Sequence, residues 1–314
     1  MVKKTIVALS LLLSLASLPS PAAAQQPPGQ PLTFYYDYTI TPGREADFME
    51  LVKTIGQPVR DKLMAEGVVM AWGIDVPLLR YPGGATHSVW YAVADMAGVQ
   101  KVQEAMAAQQ AKLAADEAAR KAPKGTTTAE RGREIIDGSK TRDYLTRDLV
   151  FGMTSAPPPA GVLPYTRYTF VKVKPGMGNA YRTAWEKYTK PVYDKLVADG
   201  TIWGWGLGVE ELRTSGEFTH FVWVAAKDLA AFDKTRSGMM ADRQRRTQEE
   251  RDAINDQFAS LTDADAPRSQ ILRALVFVWR ARSSAHRSRH AGRGHAQHLG
   301  GGEPARHRRE QLPA

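Results

Sequence analysis

The chain has 314 residues, no cysteine and a formal net charge of +9, and each of these facts excludes something. Without cysteine there are no disulfides, thiolate metal sites, cysteine nucleophile or lipid-anchored cysteine, so stability rests on core packing. The charge is regional: from residue 280 onward eight arginines face two acids, and Lys3 and Lys4 open the first segment. The remaining body is left at roughly +1, without the positive excess of a phosphate-binding surface, so no specific nucleic-acid partner is expected.

Residues 1–24 read as an export signal. Lys3 and Lys4 precede an apolar run over 6–18, and Ala22, Ala23 and Ala24 supply the small residues of a cleavage site. No other stretch approaches the roughly 20 apolar residues of a spanning helix, so a periplasmic or secreted protein with no membrane span is expected. Residues 25–32, rich in proline and glutamine, read as a mobile leader. Aromatic and β-branched residues over 33–40 predict a first strand. Pro42 and Gly43 end it. Apolar residues at Phe48, Leu51, Val52, Ile55, Val59 and Leu63 predict a helix over 45–65, with Pro58 kinking or restarting it and Gly67 capping its end. Strands follow over 68–76 and 87–94, then an alanine-rich helix over 97–120, a short helix near 131–136 and a last strand over 144–153. The order is β-α-β-β-α-β.

A proline-rich linker over 155–164 leads into the same order again. Strands are predicted at 165–173, 201–209, 219–226 and 270–278, and helices at 177–198 and 228–258. The tail over 280–314 is built from Arg, His, Gly, Ala and Pro and lacks the apolar residues to bury a core, so it reads as disordered.

The second set of elements is a copy of the first. Thr86-His87-Ser88-Val89-Trp90 returns as Thr219-His220-Phe221-Val222-Trp223, at an offset of about 133 positions. Pro42-Gly43 matches Pro175-Gly176, Pro58-Val59 matches Pro191-Val192, and Asp61-Lys62-Leu63 matches Asp194-Lys195-Leu196. Trp72-Gly73 matches Trp205-Gly206. Over 38–101 roughly a third of the positions are identical to their partners, so repeat 1 spans 33–154 and repeat 2 spans 165–279.

Five of the seven histidines lie in the tail, and the two in the body, His87 and His220, are partners in the duplication. Each either packs on an aromatic ring or works chemically. Alternation puts His87, Val89 and Tyr91 on one face of the third strand and Trp90 and Ala92 on the other. The first copy has the more polar surroundings: Ser88 stands where the second has Phe221, Tyr91 where it has Val224, and Asp37 where it has Phe170. The catalytic candidates are therefore His87, with Asp37 to orient its ring and Tyr35 nearby, and His220 as the structural copy. A haem or metal role for His87 and His220 together would need both rings to converge on the axis between the repeats. No motif demands a metal or a cofactor, and none is expected. Trp72, Trp90, Trp205, Trp223 and Tyr168 either fill the core or line a pocket. Gly204, Gly206 and Gly208 would leave room there for a flat ligand.

Two successive β-α-β-β-α-β units resemble tandem ferredoxin-like repeats, and more narrowly the dimeric α/β-barrel superfamily, over about residues 33–278. That superfamily holds NIPSNAP-like proteins, cofactor-free antibiotic-biosynthesis monooxygenases, and haem-binding chlorite dismutase and dye-decolourising peroxidase relatives. The resemblance implies an α+β fold with the two repeats packed as a pseudo-dimeric barrel, and it carries no functional residue across. The Gly-x-x-Asp-Gly signature of the peroxidase relatives is absent. The reading expected is an exported, non-catalytic protein that binds a small apolar or aromatic ligand or mediates assembly, with an oligomer open to it. The alternatives are a cofactor-independent oxygenase acting on an aromatic substrate, and haem or metal binding.

Overall fold

A computed structural model describes residues 30–80, 83–154, 159, 161–212, 218–263 and 268–279. The expected signal and tail, most of the leader and half of the linker lie outside them. In repeat 1 the elements are β1 (Leu32–Tyr38), α1 (Glu45–Leu51), α2 (Gln57–Ala65), β2 (Val69–Pro77), β3 (His87–Val93), α3 (Met96–Ala119), α4 (Thr128–Ile135) and β4 (Arg142–Met153). In repeat 2 they are β5 (Tyr165–Val171), α5 (Gly178–Tyr188), α6 (Lys190–Ala198), β6 (Gly204–Glu210), β7 (His220–Ala226), α7 (Ala230–Gln244), α8 (Gln248–Leu261) and β8 (Arg268–Trp279).

The expected kink at Pro58 is a π-helical segment over Val52–Gly56, which delivers the chain to α2 with Pro58 in its first turn. A proline there lacks only an N–H that the first turn would leave unpaired. Gly67 and Gly200 cap their helices with φ of 81° and 76°, a left-handed conformation that glycine adopts without a Cβ clash. One expectation is corrected: the helix predicted over 228–258 is two. Thr247 accepts the Glu250 N–H at 3.2 Å while the Glu250 carboxylate accepts the Thr247 N–H at 2.8 Å, a reciprocal cap that starts α8. The same cap, Thr127 with Glu130, starts α4 in repeat 1.

The eight strands close into one antiparallel barrel in the order β1-β3-β2-β8-β5-β7-β6-β4. Closure depends on the last strand of each repeat. The first half of β4 pairs with β1 and its second half crosses to β6 of the other repeat. β8 does the same between β5 and β2. No free sheet edge remains. Each crossing carries a bulge, beside Asp148 in β4 and opposite Asp75 in β8.

Period-2 alternation then makes two environments. Leu32, Val69, Trp72, Ile74, Val89, Tyr91 and Val93 face the helices of repeat 1, and Trp205, Leu207, Val222, Val224 and Ala226 face those of repeat 2. Tyr35, Tyr144, Phe170 and Phe221, with Trp90, Tyr168 and Trp223 packed against them, point the other way and form a third cluster inside the barrel.

Candidate functional site

The barrel interior is the first place to look for a site, because the repeats meet there. Tyr35 and Tyr168, equivalent in the duplication, bring their hydroxyl oxygens to 3.3 Å. Around them Tyr35 stacks on Tyr144 with ring centroids 4.8 Å apart, and Phe170 lies 4.8 Å from Phe218. Phe218 has no aromatic counterpart, since repeat 1 has Ala85 at that position. Space of only about 10 Å³ remains between these rings, room for one water at most.

The glycines expected to make room for a flat ligand make room for the protein's own rings. A Cβ on Gly206 would collide with Trp223 Nε1, one on Gly208 with Phe221 Cζ, and one on Gly204 would stand 3.3 Å from Trp223 Cζ3; in repeat 1 one on Gly73 would stand 2.7 Å from Trp90 Cζ2. Each indole lies flat across the second strand of its own repeat. Each also needs an acceptor for its N–H: Trp90 donates to Asp75 Oδ2 at 2.8 Å and Trp223 to Asp148 Oδ1 at 2.9 Å.

Asp75 and Asp148 are not equivalent in the duplication. Asp75 on β2 pairs with Ala274 on β8, and in the other half Gly208 on β6 pairs with Asp148 on β4. The carboxyl group has changed strands while the hydrogen bond has been kept. Burial raises both acids to about 7 against the pull of their indoles, and Asp37 adds to the rise at Asp75. Burial lifts Asp37 itself to about 6, opposed by Ser88, Arg142, Tyr144 and Arg268. The tyrosine hydroxyls at the centre are driven up as well, first by burial: Tyr168 and Tyr144 then add to the rise at Tyr35, and Asp75 adds to it at Tyr168, where the Tyr35 hydrogen bond works the other way.

The sequence candidates fall apart on this geometry. Asp37 pairs with Ser88, and His87 with Tyr38, so Asp37 faces the interior while His87 faces the helices. His87 is 3% exposed, packs 5.0 Å from Phe48 and places Nδ1 3.1 Å from Thr86 Oγ1. Its pKa is lowered, mainly by burial. His220 repeats the arrangement at 6% exposure, with Tyr181 at 5.4 Å and Thr219 Oγ1 at 3.0 Å. The expectation of a working His87 oriented by Asp37 and an idle His220 is therefore corrected: both rings sit in like surroundings, and neither meets Asp37. Nor do they converge. Each lies beneath its own helix, so haem or a metal shared between them does not fit, and the filled barrel has no space for a macrocycle. Among the described residues no group of three or more His, Asp and Glu side chains could hold a metal ion. Trp72 and Trp205, each 1% exposed, belong to the helix-facing cores and line no pocket. Trp90, Trp223 and Tyr168 are inside the barrel and fill it.

The space the sequence promised lies elsewhere, on the outer face of repeat 2. A cleft of about 340 Å³ opens between β5, β7, α6 and α7, lined by Arg167, Thr169, Tyr193, Val222, Val224 and Phe232, with Thr235, Arg236 and Met239 from α7. The same place in repeat 1 is closed by aromatic rings. Phe34 and Tyr91, paired across β1 and β3, stack at 5.6 Å, and Tyr36 lies 4.7 Å from Phe34. Gln103 on α3 pins both phenols, donating to Tyr36 Oη at 2.7 Å and Tyr91 Oη at 3.0 Å. In repeat 2 the equivalent residues are Arg167, Val224, Thr169 and Arg236, on the same ladder, with Arg167 opposite Val224. The helix above keeps its place: Asp95 caps α3 through the Gly98 N–H at 2.8 Å, and Asp228 holds the equivalent Ala231 N–H at 2.9 Å. Repeat 2 lacks three rings that repeat 1 holds beneath a helix starting at the same place, and the cleft is the difference. Sequence reasoning noted the change of Tyr91 to Val224 but took it as polarity around His87, and did not join it to Phe34 against Arg167 and Tyr36 against Thr169. The signal was the run of aromatic-to-small or aromatic-to-charged differences on the strand face that carries His87.

No family model matches the chain, and no curated protein matches it. Solved structures do. A candidate monooxygenase from Fusobacterium nucleatum is 12% identical, covering 80% of this chain and 95% of its own, with a TM-score of 0.53. A candidate monooxygenase from Lactobacillus acidophilus is 11% identical, covering 80% of this chain and 97% of its own, with a TM-score of 0.51. At such identities the likeness is one of fold. The chain has the fold of the dimeric α/β-barrel superfamily, with both halves of the barrel supplied by one polypeptide.

Proposed function

We propose that the protein is an exported, non-catalytic binder of a small apolar or aromatic molecule, and that the molecule is held in the outer cleft of repeat 2. One observation carries the reading: the barrel interior is filled, while the outer face of repeat 2 holds a cleft where repeat 1 is packed with aromatic rings. Pockets for small ligands are mostly apolar clefts of about 300–1,000 Å³ with a few polar groups, and this one falls at the small end of that range. Val222, Val224, Phe232 and Met239 give it an apolar lining. Export is supported by the charged, apolar and small-residue segments of residues 1–24. The competing reading is a cofactor-independent oxygenase; the two structural neighbours are named as monooxygenases. The bases expected for it do not meet a substrate: His87 and His220 are sealed beneath their helices, and Asp37 faces an interior with no room for one.

The test is titration with 2-naphthol, which is uncharged at neutral pH, followed by tryptophan fluorescence. Trp185 and Trp205 lie 5.9 and 6.2 Å from Tyr193 in the cleft wall and act as reporters. Saturable one-to-one binding is expected, and R167F/T169Y/V224Y, which restores the rings of repeat 1, abolishes it. Met239→Trp blocks the same cleft from the helix side and serves where the triple variant does not fold. Absence of saturable binding, or binding that survives both variants, overturns the proposal, as does oxygen uptake with a phenolic substrate above the uncatalysed rate.

A further inference from the structure

The polar groups of the cleft point to a narrower ligand class. Of its two threonines, Thr235 donates to the Ala231 carbonyl at 2.8 Å, and Thr169 Oγ1 lies 3.1 Å from Ser269 Oγ. Both are engaged within the protein. The groups left to meet a ligand are the guanidinium groups of Arg167 and Arg236 and the hydroxyl of Tyr193. Neither arginine forms an ion pair among the described residues, and no carboxylate lines the cleft. Other arginines are ion-paired: Arg44 with Asp47, Arg182 with Glu186, and Arg245 and Arg246 with Asp242.

The two charges are also specific to this copy. Repeat 1 has Phe34 and Gln103 at the equivalent positions, a ring and an amide where repeat 2 has two cations. Arg167 reaches the cleft from the strand side and Arg236 from the helix side, and together they face one apolar floor. Two like charges held on one cavity repel each other until an anion lies between them. Arg167 already acts across the cleft, since its charge opposes the burial that raises the Tyr193 phenol. A carboxylate accepts hydrogen bonds from guanidinium forks at both of its oxygens, and such charge-assisted bonds are about twice as strong as neutral ones.

We propose that the ligand is an organic carboxylate: a compact apolar body, one fused ring system or a short chain, lying on Val222, Val224 and Phe232, with its acid head clamped between Arg167 and Arg236. This rests on the cleft being a binding site and adds the charge of what it binds. An aromatic acid and a short fatty acid share the chemistry, and the test separates them.

Titrations with 2-naphthoate, octanoate and 2-naphthol, on wild type and on R167Q/R236Q, decide the matter. The wild type is expected to bind 2-naphthoate at least tenfold more tightly than 2-naphthol, with the preference shrinking as salt is raised. In R167Q/R236Q the ratio of the two affinities is expected to collapse toward one, whatever the variant does to 2-naphthol binding itself. Both residues are solvent-exposed, so the variant is expected to fold. Octanoate binding as tightly as 2-naphthoate assigns the site to fatty acids, and octanoate binding at least tenfold more weakly assigns it to aromatic acids. Equal affinity for 2-naphthoate and 2-naphthol, unchanged in R167Q/R236Q, overturns the carboxylate proposal and leaves the binding reading standing. Failure of all three probes to bind overturns both.

Discussion

The hydroxyl oxygens of Tyr35 and Tyr168 lie 3.3 Å apart where the two halves of the barrel meet, and the residues occupy the same position in each copy. A contact between equivalents places them on the pseudo-twofold axis. Either hydroxyl can be the donor, so removing one leaves the other buried without that partner. Y35F and Y168F are each expected to cost about 1 kcal/mol, and the double variant distinctly less than the sum. A denaturant double-mutant cycle measures this, and strict additivity would show that the hydroxyls do not interact.

The two indole–carboxyl pairs set a pH dependence. Asp75 and Asp148 have folded-state values of about 7, raised above the ordinary aspartate value by burial. A raised acid adds stability that is complete below its unfolded value, near 4, and is lost as pH rises through about 7. Wild-type stability is therefore expected to fall between about pH 4 and pH 7 by an amount on the order of 2–4 kcal/mol from Asp75 alone. D75N keeps an oxygen for Trp90 and has no charge to bury, so it flattens this window and gains on the wild type at pH 8. Melting curves across the window check it; an unchanged slope in D75N and D148N would place the titration elsewhere.

Much of this was legible in the sequence, and the limits have physical causes. Residue patterning located all eight strands to within a few residues, and the constant offset paired three of them in each copy, because a duplicated fold keeps its glycines, prolines and tryptophans. Alternation correctly put His87 and Trp90 on opposite faces of β3, but period 2 does not say which face sees helices and which sees the other sheet. That is why His87 and Asp37 were joined when they stand on opposite sides. The exchange of Asp75 for Asp148 was not legible for a related reason: it appears only when β2 lies beside β8 and β6 beside β4.

Phe218 closes the barrel interior from one side, packing against Phe170, Tyr144 and Phe221. F218A is expected to cost about 3–5 kcal/mol and to open a cavity among these rings. Unfolding in denaturant gives the cost, and xenon binding in a crystal reports the space. A loss below about 1 kcal/mol would mean that the interior repacks around the gap.

His87 and His220 are expected to behave alike. Each packs on one ring beneath a helix and meets the hydroxyl of the preceding threonine, so H87A and H220A should destabilise by similar amounts, about 1–3 kcal/mol. Neither change is expected to alter 2-naphthol binding. A selective loss of binding in H87A, with its stability matched to H220A, would restore a functional role to the first copy.

The most direct measurement is a crystal structure of the full chain soaked with 2-naphthoate. The account predicts ring density over Val222, Val224 and Phe232, the carboxylate within hydrogen-bond reach of Arg167 and Arg236, and Tyr35 still touching Tyr168 inside the barrel. Density between Tyr35 and Tyr168, with those two rings forced apart and the outer cleft vacant, would contradict it.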